Sequence, residues 1–331
     1  MNVLVVGGAG YIGSHMLRAL DQARHRGVVL DNLSTGFAAA VTCGKLIRGD
    51  LLDRELTARI LRDEQIDAVM HFAACALVGE SVQNPAKYYE NNVVAAHHLL
   101  EAMRGTAVRK IVFSSTCATY GLPQRVPISE SEPQLPVNPY GFTKLVIEHA
   151  LADYARAYGF EFAALRYFNA AGAAPGGDLG EDHDPESHLI PIVLQTALGR
   201  RSHVTIFGND YPTPDGTCIR DYIHVDDLCQ AHLAALNRLK PGDGIKVNLG
   251  TGKGYSVQQV IDVCRQVSGA EIKAEIGPRR AGDPPELVAD ARLAQKLLDW
   301  TPKYQQLRPI VETAWAWHQR HPTGYPRAAK N

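Results

Sequence analysis

The sequence has no run of five or more basic residues, and its 34 lysines and arginines face 35 aspartates and glutamates. A net charge of −1 argues against nucleic acid or an anionic membrane surface as a partner. No apolar stretch reaches the ~20 residues that a bilayer-spanning helix needs. The N-terminus passes directly into a strand-like run, Val3-Leu4-Val5-Val6, without a basic region or a small-residue cleavage site, so no signal peptide is expected. Cysteine is sparse. Cys43, Cys75, Cys117, Cys218, Cys229 and Cys264 form no Cys-x-x-Cys pair and none sits at zinc spacing with a histidine, which reads as reduced thiols in a cytosolic protein. The 13 histidines are scattered, His97-His98 reads as one helix face, and no metal site is expected. Repeats and low-complexity tracts are lacking as well. These absences leave a soluble globular chain, 331 residues long and 45% hydrophobic, with room for two ordinary domains.

What is present is an alternation. Short β-rich runs at Val3–Val6, Val28–Leu30, Leu46–Ile47, Ala68–Phe72, Lys110–Ser114 and Phe162–Leu165 are separated by helical patterns near 11–24, 53–64, 85–104 and 140–158. Strand, helix, strand, repeated, predicts an α/β fold with a doubly wound parallel sheet over the first half. In the second half, Gly and Pro cluster at 173–180, 209–216, 241–244 and 278–285, between helical patterns at 189–199, 225–237, 256–267 and 306–320. This predicts a smaller lobe built around loops, with segments returning to the main sheet. The tail after Arg320 is expected to be loosely held.

Gly7, Gly10 and Gly13 follow the first strand at spacings of three and open the first helix. Such a loop makes a tight turn, lets backbone approach a pyrophosphate and packs helix on strand, while the helix N-terminus offers unpaired N–H groups to phosphate. Asp31 ends the second strand eighteen residues after Gly13. A carboxylate there accepts both adenosine ribose hydroxyls and repels a 2′-phosphate, favouring NAD over NADP. As turn chemistry alone, Asp31-Asn32 would look the same. Asp50 and Phe72-Ala73-Ala74 fall at strand C-termini, where such sheets bind ligands.

Tyr140 and Lys144 stand four residues apart, on one helix face. A free tyrosine near pKa 10 is ionised in roughly one molecule per thousand at pH 7; a neighbouring ammonium and an oxidised nicotinamide would make it a usable base. The fifth strand ends in Ser114-Ser115-Thr116, and the Thr116 hydroxyl can face the same cleft. Each feature alone is common as cap or surface chemistry.

In this order and spacing the chain resembles the extended short-chain dehydrogenase/reductase family, and within it the UDP-glucose (UDP-galactose) 4-epimerases. The resemblance runs through Gly7 to Gly13, Asp31-Asn32-Leu33, Val78-Gly79-Glu80-Ser81, Tyr88 to Val93, Arg166-Tyr167-Phe168-Asn169, Ile206 to Thr213, and Asp215 to Val225. It implies a Rossmann-type NAD-binding domain over residues 1–168, with segments near 220–250 returning to it, and a C-terminal α/β UDP-sugar lobe over 169–331. It implies Tyr140 as the base at the sugar 4-hydroxyl, Lys144 lowering its pKa and holding the nicotinamide ribose, and Thr116 on the 4-oxygen, with a 4-keto sugar as intermediate. Carried over by position, the cofactor set adds Tyr11, Ile12, Asn32, Leu33, Ser34, Thr35, Gly36, Leu51, Cys75, Ala76, Asn91, Ser114 and Phe168. The substrate set is Asn169, Leu189, Phe207, Arg220, Tyr222, Arg280, Asp283 and Leu287, beside Thr116 and Tyr140. For Arg220 and Arg280 the alternative is surface ion pairing with Asp221 and Asp283. Some members carry a lysine where Ala76 stands and a serine where Thr116 stands. Leu287 is smaller than the tyrosine found there in some members, so N-acetylated sugars are candidate substrates. The resemblance further implies a cytoplasmic homodimer joined through the helices near 85–104 and 140–158. A 4,6-dehydratase would need an acidic pair where Cys117-Ala118 stand. Epimerases of UDP-N-acetylglucosamine, UDP-glucuronate or UDP-xylose remain alternatives, as does a non-catalytic NAD sensor.

Overall fold

The structure, a computed structural model, describes residues 1–280 and 282–327. Its strands are β1 (Asn2–Val6), β2 (Arg26–Asp31), β3 (Lys45–Arg48), β4 (Ala68–His71), β5 (Lys110–Thr116), β6 (Glu161–Tyr167), β7 (Asn169–Ala171), β8 (Val204–Phe207), β9 (Ile219–His224), β10 (Gly244–Leu249), β11 (Gly254–Ser256), β12 (Ala274–Gly277) and β13 (Glu286–Leu287). Between them lie α1 (Tyr11–Gln22), α2 (Arg54–Asp63), α3 (Val78–Gln83), α4 (Pro85–Tyr88), α5 (Ala95–Arg104), α6 (Pro139–Tyr158), α7 (Leu189–Ala197), α8 (Val225–Arg238), α9 (Val257–Ser268), α10 (Arg292–Leu298) and α11 (Leu307–Arg320).

The main sheet is parallel throughout, in the order β3-β2-β1-β4-β5-β6-β10. Strand periodicity of two sends alternate residues to opposite faces. Val3, Val5 and Val29 join Met16, Leu20, Leu228 and Leu236 beneath α1 and α8. Leu4, Val6, Val28 and Leu30 join Ile60, Leu99 and Ile147 beneath α2, α5 and α6. Burial on both faces explains why these strands read as continuous apolar runs. The result is a doubly wound α/β sheet whose carboxyl edge carries the loops after β1, β2, β4 and β5, the usual ligand side.

A smaller unit stands over that edge. β9 pairs in parallel with β7 and β13 and antiparallel with β11, while β8 and β12 form a separate parallel pair. Its core lies among α7, α9 and α11, with Val193, Leu194, Val260, Ile261 and Val311 fully buried.

Two expectations change in detail. The single helix expected over 85–104 is α4 and α5 joined by a π-helical stretch, Tyr89–Val94. The segment after Arg320 is anchored as far as residue 327. The Tyr325 hydroxyl donates to the Gly180 carbonyl, its N–H donates to Asp182, and its ring stacks on Phe37. The expectation for 328–331 falls outside the described residues.

Candidate active site

The glycine loop is a cradle that side chains would fill. Gly7 has φ of +79°, and a Cβ there would meet the Ala73 nitrogen at 2.5 Å; at Gly13 it would meet the Gly7 carbonyl oxygen at 2.2 Å. Gly10 caps α1 without a side chain, leaving the first helical N–H groups open toward the loop. Asp31 braces this loop: Oδ2 accepts the Ala9 N–H at 2.9 Å and Oδ1 the Leu33 N–H at 2.8 Å. Burial raises its pKa against those two hydrogen bonds. Asn32 donates to Asp50 at 2.8 Å and accepts the Ser34 N–H at 2.9 Å. Gly36 lies against Ala9, with no room for a Cβ. The structure thus brings together Gly7, Gly10, Tyr11, Ile12, Gly13 and the loop from Asp31 through Thr35 to Gly36, with Asp50 and buried Leu51 beside it. The cradle and the recessed carboxylate fit a dinucleotide.

Ala73 hangs on the Val6 carbonyl, and Phe72 packs on His232 with ring centroids 4.9 Å apart. Past Ala74, Cys75 is held from both sides by Asn92, whose Oδ1 accepts the Cys75 N–H at 2.8 Å and whose Nδ2 donates to the Cys75 carbonyl at 3.0 Å. Asn92 also donates to Thr143 of α6 at 3.1 Å, while neighbouring Asn91 donates to Asn92. The sequence reading named Asn91 and missed Asn92. The π-helical stretch that presents both is a geometry often found at functional sites. Ala76 is exposed.

Tyr140 enters on the first turn of α6, capped by Asn138, whose Oδ1 accepts the Gly141 N–H at 2.9 Å. Gly141 is required here: a Cβ would meet the Ala118 carbonyl oxygen at 2.4 Å. This close approach sets the helix start against the turn after β5, beside the Thr116 hydroxyl. Burial pushes the Tyr140 phenol up to about 12, with the Thr116 hydroxyl acting to lower it. Lys144 is 2% exposed; its Nζ donates to the Ser114 carbonyl at 2.7 Å and lies 4.8 Å from the centre of the Phe113 ring. Burial brings its pKa down to about 7, with Glu148 opposing. Burial is the leading cause of the shift at both groups. Ser114 meets the Tyr167 hydroxyl in a close hydrogen bond.

Sequence reasoning also missed the buried network beneath these groups. Arg166 donates from Nε to Glu148 Oε1 at 2.9 Å and from a terminal nitrogen to Oε2 at 2.6 Å; Ser115 donates to Glu148 at 2.5 Å. Arg166 also donates to the Tyr120 hydroxyl, which donates to Asn248 of β10. Glu148 stands one turn beyond Lys144, and that spacing was the available signal.

The residues expected on the substrate side fall mostly in the smaller unit. Asn169 pairs in register with Tyr222, which is buried, and Leu189 opens α7. Arg280 stacks its guanidinium 3.9 Å from the centre of the half-exposed Phe207 ring. Arg220 pairs closely with Asp283, so its ion-pairing reading holds in this structure. Asp221 is no ion-pair partner among the described residues: it is buried and accepts the N–H groups of Thr251, Gly252 and Ala289. Leu287 lies opposite Arg220 on β13 and packs against the cluster of Cys117, Ile128 and Phe168, next to Thr116.

Residues 3–250 match the model of the NAD dependent epimerase/dehydratase family. The UDP-glucose 4-epimerase of Halalkalibacterium halodurans is 55% identical over 332 residues, covering 100% of this chain and 99% of that one. Among solved structures, the UDP-glucose 4-epimerase of Brucella ovis in complex with NAD superposes with a TM-score of 0.92 at 51% identity, over 95% of this chain and 97% of that one. The UDP-glucose 4-epimerase of Bifidobacterium longum in complex with NAD+ and UDP gives a TM-score of 0.94 at 37% identity, over 98% of this chain and 100% of that one.

Proposed function

Since the chain belongs to the NAD dependent epimerase/dehydratase family, we propose that it interconverts UDP-galactose and UDP-glucose by inverting carbon 4 of the sugar, with NAD as its cofactor. The observation that carries this reading is the phenol of Tyr140 set beside the Thr116 hydroxyl at the carboxyl edge of the sheet, over a Lys144 anchored to Ser114. When bound, NAD supplies a reversible hydride acceptor for carbon 4 and a positive charge near the phenol. The glycine cradle holds its pyrophosphate, and Asp31 holds its adenosine ribose. Tyr140 takes the proton from the sugar 4-hydroxyl and returns it. Thr116 hydrogen-bonds the 4-oxygen while that carbon is a ketone. Arg280, Arg220, Phe207 and Asn169 grip the UDP, which leaves the sugar free to turn and present its other face. For Arg220 this requires giving up part of its pairing with Asp283.

In this reading residues 1–168, with segments near 220–250, form the NAD half, and 169–331 the UDP-sugar half. A second copy of the chain pairs through the helices near 85–104 and 140–158. Exposed Tyr89, Val94 and Phe142 on those elements support that surface. None of the six cysteines is joined in a disulfide, which supports a reducing compartment such as the cytoplasm. No helix among the described residues is long and apolar enough to cross a membrane.

The test is to incubate the purified protein with UDP-galactose, without added oxidant, and resolve the nucleotide sugars. UDP-glucose should accumulate to a fixed ratio from either direction; its failure to form would overturn the proposal.

A further inference from the structure

The loop between β7 and α7 contains Glu181-x-His183-x-x-Glu186-x-His188, four residues to which the epimerase chemistry gives no role. The fold folds them onto one another. One donor atom from each lies within 4.8 Å of all the others. Glu181 Oε1 is in close contact with the His188 ring and 3.4 Å from His183 Nδ1; that same nitrogen is 3.5 Å from Glu186 Oε1. The carboxylates are set deep: Glu181 is 4% exposed and Glu186 9%.

A second observation points to a missing partner. His183 Nδ1 is buried and faces both carboxylates, yet it has no hydrogen-bond geometry to either. Among the described residues Glu186 Oε2 is buried without a partner too, although Oε1 accepts the N–H groups of Ser187 and His188. Separations of 3.4 and 3.5 Å resemble the ~3.3 Å between donor atoms on a tetrahedral ion with bonds of about 2.0–2.1 Å. Two buried carboxylates also demand positive charge. A divalent cation would meet that demand with both imidazoles neutral.

We propose that Glu181, His183, Glu186 and His188 form a binding site for a divalent cation of the zinc type. Mixed imidazole and carboxylate donors suit zinc better than magnesium or calcium. The site is a brace. The His183 ring meets Tyr11 of α1 edge-on, with centroids 6.4 Å apart; the Glu181 carbonyl accepts the Trp317 indole N–H of α11 at 3.1 Å; and His188 directly precedes α7. A bound ion would fasten the loop between the glycine-loop helix and the start of the substrate-side helix.

To test this, the full chain is stripped with a chelator, titrated with zinc sulfate, and assayed by metal analysis and thermal unfolding. One zinc per chain and a higher Tm with zinc are expected. His183→Ala and Glu186→Gln should each weaken zinc binding at least about tenfold, the scale seen even for outer-shell changes. Glu186→Gln keeps the side chain's shape and serves where His183→Ala does not fold. Absence of zinc binding by the wild type overturns the proposal. So does equal binding by wild type and Glu186→Gln, which would place the ion at a cysteine or another group, and so does a preference for magnesium.

Discussion

Lys144 Nζ donates a 2.7 Å hydrogen bond to the carbonyl oxygen of Ser114. That bond ties α6 to the carboxyl end of β5, and so fixes the helix turn carrying Tyr140 to the strand end carrying Thr116. Burial takes the lysine's own pKa down to about 7.

Replacing Tyr140 by Phe should remove the proposed proton carrier without disturbing the cleft. Turnover of UDP-galactose should fall at least about a hundredfold, the usual scale for losing a general base. Calorimetric binding of NAD and UDP should persist. Near-normal turnover would take Tyr140 out of the mechanism.

The Arg166–Glu148 pair is 3% and 0% exposed at its side chains. Arg166→Met leaves Glu148 charged and unpaired in the interior, which costs about 3–5 kcal/mol. The urea midpoint should drop accordingly, and adding Glu148→Gln should restore part of the loss. A midpoint unchanged in the single variant would show that the pair is not buried in solution.

Gly13→Ala would put a methyl group 2.2 Å from the Gly7 carbonyl oxygen and 2.7 Å from the Gly8 Cα. Backbone must move, and overpacking of this kind costs about 1–3 kcal/mol. With the loop as the proposed phosphate cradle, NAD affinity should fall by about tenfold or more. An unaltered Kd would place the pyrophosphate elsewhere.

His71 and His232 are held neutral by burial, with pKa values down to about 3 and about 4; Lys144 adds to the effect on His71. Both folded values lie below the unfolded value near 6.5, so the unfolded chain binds more protons as pH falls. Their stabilisation is therefore present above about pH 6.5 and is lost toward pH 4, at about 1.4 kcal/mol per pH unit for each histidine. Among the described residues neither His71 nitrogen has a partner, so Leu should be tolerated there. His71→Leu should flatten the pH dependence of urea unfolding between pH 6.5 and 4.5 by about 2–3 kcal/mol. A slope equal to wild type would contradict the assignment.

Leu287 sits next to the cluster of Cys117 and Phe168 beside the reacting groups. The room a leucine leaves predicts that UDP-N-acetylgalactosamine is also epimerised, within about a hundredfold of the rate on UDP-galactose. Leu287→Tyr should lower the first rate and spare the second. Equal loss on both sugars would show that residue 287 does not face the sugar 2-substituent.

The main sheet was legible because strands buried on both faces must be apolar along their length, as Val3 to Val6 and Ala68 to Met70 are. β10 was harder to see, since Lys246 and Asn248 interrupt its pattern; Asn248 is fully buried but satisfied by the Ile128 carbonyl and the Tyr120 hydroxyl. The π-helical stretch leaves no mark in Tyr89–Val94, whose spacing also fits an ordinary helix. Of the site, the glycines, Asp31, Thr116, Tyr140 and Lys144 stood out because each needs a particular residue type at a particular spacing. Arg220 was ambiguous in the sequence, because a guanidinium serves an aspartate as readily as a diphosphate. Asn92 was invisible for another reason: its role arises from a partner 17 residues away, and Glu148, whose partner Arg166 is 18 residues away, was signalled only by its spacing from Lys144.

Because β10 supplies the last strand of the main sheet from residues 244–249, β6 has no neighbour on that side until most of the polypeptide has left the ribosome. During synthesis its backbone amides and carbonyls stand open to other nascent chains, the circumstance in which strands pair wrongly and aggregate. Fragments ending before residue 244 should therefore be insoluble however complete their cofactor cradle, and trimming this enzyme to a minimal nucleotide binder will fail at that boundary.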